Sequence, residues 1–163
     1  MIMLLIFATA ISVCIAVAAY RRAGELPDSV SSFAYYVGAL PFSLWCVTMV
    51  LLLYVPIVQA MLPYGDVGSA AGVLTLSGIM LVSASPYYRT ENKVLHYAGG
   101  YLFGIASQVV VALLCPCLLL GWIIFCVFVL VTTFLHHFRS WKENATIVSE
   151  GVCFLTLIVS LTV

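Results

Sequence analysis

Few residues in this 163-residue chain could do chemistry, because only 7% of its residues are charged. The most prominent is Glu150, the single charged side chain of the run ATIVSEGVCFLTLIVSLTV. A charge at the centre of a bilayer costs about 2.5 kcal/mol or more, so it usually faces a bundle interior or water. We therefore expect Glu150 to face the bundle and to bond with His96, Tyr35 or a nearby serine. It is either a ligand-binding, proton-carrying or catalytic acid, or a structural carboxyl near the interface.

The second candidate is His96, in the segment RTENKVLHYAGG between two apolar stretches. It lies one helical turn beyond Lys93, about 4.5 Å deeper, and so within reach of interfacial water. We expect His136 at the same level on an adjacent helix, and Asp28 on the same side. Imidazoles and carboxylates that converge can bind zinc or relay protons, although no two of these residues have a diagnostic spacing. Without such convergence, His96 is a hydrogen-bonded interface residue.

Two further groups of side chains have a simpler interpretation. Gln108 lies midway along an apolar stretch, which favours a hydrogen bond between helices. Four of the six cysteines lie inside apolar runs, and the other two, Cys115 and Cys117, flank Pro116. This placement is typical of packing thiols rather than a disulfide framework, although CPC also resembles a metal or redox pair.

The composition excludes water as the main solvent of this chain. Hydrophobic residues make up 64% of it, and its mean hydropathy is +1.20. A soluble domain is about half apolar and about a quarter charged. The chain is therefore predicted to be an integral membrane protein with the lipid bilayer as its partner. Its formal net charge of zero argues against binding to nucleic acid.

Six apolar segments are long enough to cross a bilayer, which takes about 20 residues of helix. They predict an all-α fold with one domain over 1–163, a bundle in which successive helices are antiparallel neighbours. The predicted helices cover residues 1–20, 32–61, 67–86, 94–114, 117–137 and 145–163. Glycines spaced four apart, at 68 and 72 and at 100 and 104, permit close helix contacts within the bundle or in an oligomer.

The basic residues predict how these helices are oriented. All six lie in the first, third and fifth connections: Arg21, Arg22, Arg89, Lys93, Arg139 and Lys142. By the positive-inside rule these connections are cytoplasmic, and both termini lie on the non-cytoplasmic side of an inner membrane. The first segment carries its positive charges after its apolar run, which predicts an uncleaved anchor rather than a signal peptide. Most polar side chains then share the cytoplasmic end.

Several short motifs carry a resemblance that covers most of the chain. They are LPDSVSSFAYYVG, SASPYY, LHYAGG followed by SQ, and SEG. They look similar to motifs of a set of small polytopic membrane proteins of gut bacteria and their mobile elements, a set without an assigned activity. The resemblance marks these candidate ligand-binding residues: Ser29, Ser31, Tyr35, His96, Gln108 and Glu150.

A second resemblance is to the CREST superfamily of membrane hydrolases. That superfamily has seven helices and a zinc held near one membrane face by three histidines, beside a serine and an aspartate. Here three histidines, an aspartate and serines lie towards one face, but six helices are predicted and a closing H-x-x-x-H motif is missing. The resemblance implies a zinc-dependent lipid hydrolase with His96, His136 and Asp28 as ligands and Glu150 as general acid/base.

The sequence favours a polar pocket that opens to the cytoplasm between the second, third, fourth and sixth predicted helices. Through Glu150 and His96, this pocket would bind or translocate a small polar or amphiphilic ligand, or a proton. Two alternatives stay open: the zinc-dependent lipid hydrolase, and a structural or accessory subunit without catalysis.

Overall fold

The computed structural model describes residues 1–25, 27, 29–84, 93–135 and 139–163, with most of their side chains. This part of the chain is all-α, as predicted. Its helices are α1 (Ile2–Ala23), α2 (Phe33–Val37), α3 (Ala39–Met61), α4 (Gly65–Ser83), α5 (Lys93–Leu114), α6 (Leu120–Leu135) and α7 (Arg139–Ser160). Two short 3-10 helices, Leu62–Tyr64 and Pro116–Leu119, lie in the turns before α4 and α6.

Three helical stretches in the described residues are long and apolar enough to cross a membrane: Ile2–Ala23, Ala39–Ser83 and His96–Leu114. The 45-residue stretch folds back on itself, since α3 and α4 pack against each other. Gly65 closes the turn between them at φ 59°, a conformation that glycine adopts far more readily than other residues. Near the other end of this hairpin, the Ser43 hydroxyl donates to the Ser83 carbonyl at 2.8 Å.

The six predicted membrane spans are only partly seen. The remaining apolar stretches, Pro116–Val127 and Thr146–Ser160, are shorter. Helix α7 begins at Arg139 rather than near residue 145, so its first turns carry the polar sequence RSWKEN. Its apolar part is about 22 Å long at 1.5 Å per residue, against a hydrocarbon core of about 30 Å. The chain is thus a helical protein with candidate membrane spans.

The second predicted helix is interrupted at Gly38, which separates α2 from α3. Gly38 has φ 98° and ψ 151°, outside the range that ordinary residues adopt. Pro41 follows in the first turn of α3, where its missing N–H breaks no helical hydrogen bond. The break leaves residues 29–37 as a separate polar turn and short helix, and α2 packs on α1 and α3.

The core of the bundle lies where α1, α3, α4, α5 and α7 meet. Its most buried large side chains are Leu5, Met49, Leu53, Ile57, Val110, Val111 and Leu157. Many other large apolar side chains are exposed on the outside of the helices, including Ile6, Leu44, Leu51 and Ile105. An exterior of this kind matches the lipid contact that the candidate membrane spans imply.

Close helix contacts occur at glycines other than those predicted in α5. A Cβ on Gly72 would lie 2.8 Å from Ile57 Cγ2, so this glycine does bring α4 close to α3. A Cβ on Gly100 would meet no atom within 4 Å, and one on Gly104 would meet only Cys153 Sγ at 4.0 Å. The tight α4–α5 contact is instead at Gly78, where a Cβ would lie 2.7 Å from Phe103 Cα.

Two hydrogen bonds between described residues mark the opposite ends of the bundle. At one end, the Tyr64 hydroxyl donates to the Leu113 carbonyl at 2.6 Å, which joins the α3–α4 turn to the end of α5. At the other end, which we call the polar end, Arg22 Nη1 donates to the Tyr36 carbonyl at 3.0 Å. The third and fifth connections fall largely outside the described residues, so the predicted six-span topology stays a prediction. Which end faces the cytoplasm stays a prediction from the positive-inside rule.

Candidate functional site

An open cleft of about 1510 Å³ lies between α5, α7 and the segment 29–35, and reaches the start of α6. One wall follows α5 from His96 to Leu113, a distance of about 26 Å at 1.5 Å per residue. The side chains at its polar end are Ser29, Ser31, Tyr35, His96, Ser149 and Glu150. Farther along α5 the walls are mainly apolar, so the cleft is polar at one end and apolar along most of its length.

Glu150 is held at the polar end by a backbone group. The Val30 N–H donates to Glu150 Oε2 at 2.6 Å, which joins α7 to the turn before α2. The predicted partner was His96, Tyr35 or a serine, so the partner was predicted wrongly. A backbone amide carries no side-chain signal in the sequence, and Val30 lies in the turn before α2, where its N–H has no helical partner. Glu150 remains partly exposed and lines the cleft.

The imidazole of His96 is tied to the same turn. Its Nε2 lies 3.1 Å from Ser31 Oγ, which in turn lies 3.0 Å from Ser29 Oγ. These three side chains form one hydrogen-bonded chain along the polar end of the cleft. His96 Nδ1 is buried and has no hydrogen-bond partner among the described residues. The structure therefore brings Ser29, Ser31 and His96 together, next to the backbone amide that holds Glu150.

Gln108 joins three helices at the middle of the cleft wall. The Trp122 Nε1–H donates to Gln108 Oε1 at 2.6 Å, and Gln108 Nε2 donates to Thr156 Oγ1 at 3.2 Å. The predicted hydrogen bond between helices is confirmed, and a ligand-binding role for Gln108 stays a prediction. The sequence reasoning missed Trp122. Its signal was present, because an indole N–H within an apolar run usually needs a buried acceptor.

The zinc site suggested by the CREST resemblance falls mostly outside the described residues. His136 and Asp28 both lie there, so their approach to His96 is not defined. Within the described ranges, no group of three or more His, Cys, Asp or Glu side chains could hold a metal ion. Zinc-dependent hydrolysis therefore stays a prediction, and metal analysis of the purified protein is its test.

Comparison with known proteins adds no relative to this picture. No family model, curated protein or solved structure matches the chain. Both resemblances in the sequence therefore stay predictions.

Proposed function

We propose that this protein binds a single-chain amphiphile in the cleft, with the polar head at Ser31, His96 and Glu150 and the tail along α5. By the positive-inside rule, the head lies on the cytoplasmic side of the inner membrane. The observation that carries this proposal is the shape of the cleft. Its hydroxyl, imidazole and carboxyl groups gather at one end of an open groove that follows α5 for about 26 Å.

The walls of the cleft favour an amphiphile over a small polar ligand. Beyond the polar end, the lining includes Phe103, Ile105, Val109, Leu113 and Leu119. These side chains would leave a small polar ligand without partners over most of the cleft. An alkyl chain can pack along these apolar walls without leaving any polar group unpaired, so the groove accepts it along most of its length.

The polar end favours a head group that donates hydrogen bonds. Glu150 supplies a carboxyl group, and its Oε2 already accepts from the Val30 N–H. The described lining residues include no Lys or Arg that would attract a phosphate. An amine or a hydroxyl can donate to the carboxyl and to the serine oxygens, whereas an anionic head would find no cationic partner among the described lining residues. An amine head is therefore expected to bind most tightly.

Binding is better supported than proton translocation. In the described residues, the hydrogen-bonded chain Ser29–Ser31–His96 ends at the unpaired His96 Nδ1. Along α5, the next side chains with a hydrogen bond in the described structure are Ser107 and Gln108, about 16–18 Å away at 1.5 Å per residue, and the Tyr101 phenol lies between. Phe103 and Ile105 lie between them on the cleft wall. A relay would have to cross this apolar part.

The Glu150→Gln variant tests the proposed head group. The amide oxygen of glutamine can still accept from the Val30 N–H, so the fold should be kept. The variant should bind tetradecylamine about tenfold more weakly, because a hydrogen bond to a charged group contributes about 1.5–3 kcal/mol. Binding of tetradecyl glucoside should change less than about twofold. Both probes are measured on the protein in phosphatidylcholine nanodiscs.

Nanodiscs without protein provide the control for partitioning into lipid. Equal losses of amine and glucoside binding in Glu150→Gln would show a general defect and contradict an amine–carboxyl contact. If the parent protein takes up no more of either probe than the protein-free nanodiscs do, the amphiphile proposal is wrong.

A further inference from the structure

The turn between α5 and α6 holds two thiols in contact, at the end of the bundle opposite the polar end. Cys115 Sγ and Cys117 Sγ are 3.0 Å apart. The backbone around them is fixed, since the Cys115 N–H donates to the Val111 carbonyl at 2.8 Å and the Leu118 N–H donates to the Cys115 carbonyl at 3.0 Å. Pro116 between them restricts the backbone further. Two sulfurs held in this way need to close by only about 1 Å to reach disulfide length.

This pair differs from the other cysteines of the chain in both contact and access. Cys46 and Cys153 are buried, while Cys14 and Cys126 are exposed. Neither of these exposed thiols makes a hydrogen bond to another sulfur in the described structure. Cys117 is exposed and its partner Cys115 is half-exposed, so a second molecule can reach the pair. The prediction that all six are packing thiols therefore does not account for this turn.

We propose that Cys115 and Cys117 form a redox-active dithiol site that exchanges with disulfides. The site lies apart from the polar end of the cleft and does not depend on the proposed amphiphile binding. The CPC turn carries no basic residue, and the predicted topology places it on the non-cytoplasmic side. Disulfides form and persist in oxidising compartments such as the bacterial periplasm, so a disulfide substrate is available there.

The exchange takes place in two balanced steps. The Cys117 thiolate attacks one sulfur of the substrate disulfide, a mixed disulfide forms, and the first substrate thiol leaves after taking up a proton. Cys115 then gives up its proton and attacks the Cys117 sulfur, which expels the second substrate thiol. Two protein thiols and one disulfide thus become one protein disulfide and two thiols. The protein is oxidised and the substrate is reduced.

The order of attack follows from the surroundings of the two sulfurs. Cys117 is the more exposed thiol, so an incoming disulfide reaches it first. The hydrogen bond to Cys117 raises the pKa of the Cys115 thiol, and burial and the charge of a Cys117 thiolate raise it further. Cys115 therefore keeps its proton during the first step and acts in the second, as the resolving thiol.

Titration of the reduced full-length protein with mixtures of reduced and oxidised glutathione tests this site. After incubation in each mixture, free thiols are alkylated. The mass of the fragment that contains residues 114–122 is then measured by mass spectrometry. As oxidised glutathione increases, Cys115 and Cys117 should escape alkylation together, because they have formed an internal disulfide. This should take about tenfold less oxidised glutathione than half-modification of Cys117 in the Cys115→Ser variant, because the second step is intramolecular. The Cys115→Ser variant should instead stop with one glutathione on Cys117.

Cys126→Ser is the matched control and should leave the behaviour of the pair unchanged. The proposal is overturned if Cys115 and Cys117 stay alkylated to the same extent as Cys126 in every mixture. It is also overturned if each of them gains a separate glutathione and no internal disulfide forms. Neither result would affect the amphiphile proposal, which is tested by ligand binding.

Discussion

Replacement of Gly78 by leucine is expected to disrupt the packing of α4 against α5 and to cause the largest loss of stability of any change considered. A Cβ at this position would contact the backbone nitrogen of Phe103 and lie 2.7 Å from its Cα. Backbone atoms in the middle of a helix cannot move aside as a side chain can. Overpacking costs about 1–3 kcal/mol even where side chains can adjust, so leucine here should exceed that range.

The measurement is thermal unfolding in detergent. After heating, the fraction of protein that stays monodisperse is determined by size-exclusion chromatography. Gly99 and Gly100 provide a matched pair on α5. A Cβ on Gly99 would lie 2.7 Å from Leu81 Cβ and 3.0 Å from the Val82 nitrogen, whereas one on Gly100 would meet nothing within 4 Å. Gly99→Leu should therefore also be destabilised, although less than Gly78→Leu, and Gly100→Leu should unfold like the parent. Equal stability of Gly99→Leu and Gly100→Leu would contradict this helix packing.

The Gly100→Leu variant should nevertheless lose ligand binding. Gly100 lies on the wall of the cleft, where its missing side chain leaves open space. A leucine side chain would occupy part of the space proposed for the alkyl tail of the ligand, one helical turn beyond His96. Tetradecylamine binding in phosphatidylcholine nanodiscs should fall about tenfold, because the leucine side chain takes the space of the tail and overpacking costs about 1–3 kcal/mol. The unfolding temperature should stay close to that of the parent.

Gly121→Leu is the control for this loss. Gly121 also has open space where a Cβ would lie, but it is on α6 and does not line the cleft. This variant should bind tetradecylamine as the parent does. Parent-like binding by Gly100→Leu, or an equal loss in Gly121→Leu, would show that the amphiphile does not lie along α5.

The sequence predicted the helices best where an apolar run alone decides their extent. The fourth predicted helix, 94–114, agrees closely with Lys93–Leu114. The second predicted helix was continuous across Gly38, although the helix is interrupted there. Gly38 adopts φ 98°. A glycine can also stay helical, and the choice depends on the tertiary packing around it, which the composition of an apolar run does not specify. The start of α7 was also missed, because a polar sequence can be helical outside an apolar core.

For the candidate site, the sequence predicted which end of the bundle holds the polar groups but not how they pair. Sorting by connection placed Ser31, His96 and Glu150 at the same end, because alternate turns of a helical bundle lie on the same side. Their pairing depends on the rotation of each helix about its axis, which a nearly uniform apolar run leaves undefined. The contact between Ser31 and His96, and the Val30 amide on Glu150, therefore emerge only from the fold.

The orientation of a bound amphiphile is the most direct test of the central claim. Two tetradecylamine derivatives are needed, one with a photoreactive diazirine beside the amine and one with it at the end of the tail. After irradiation in phosphatidylcholine nanodiscs, the labelled residues are identified by mass spectrometry, with excess tetradecylamine as competitor. The head derivative should label residues 29–35, 96–101 and 146–150, and the tail derivative should label residues 109–122. The reverse order, or labelling confined to the exposed faces of α1 and α3 and insensitive to the competitor, would contradict binding in this cleft.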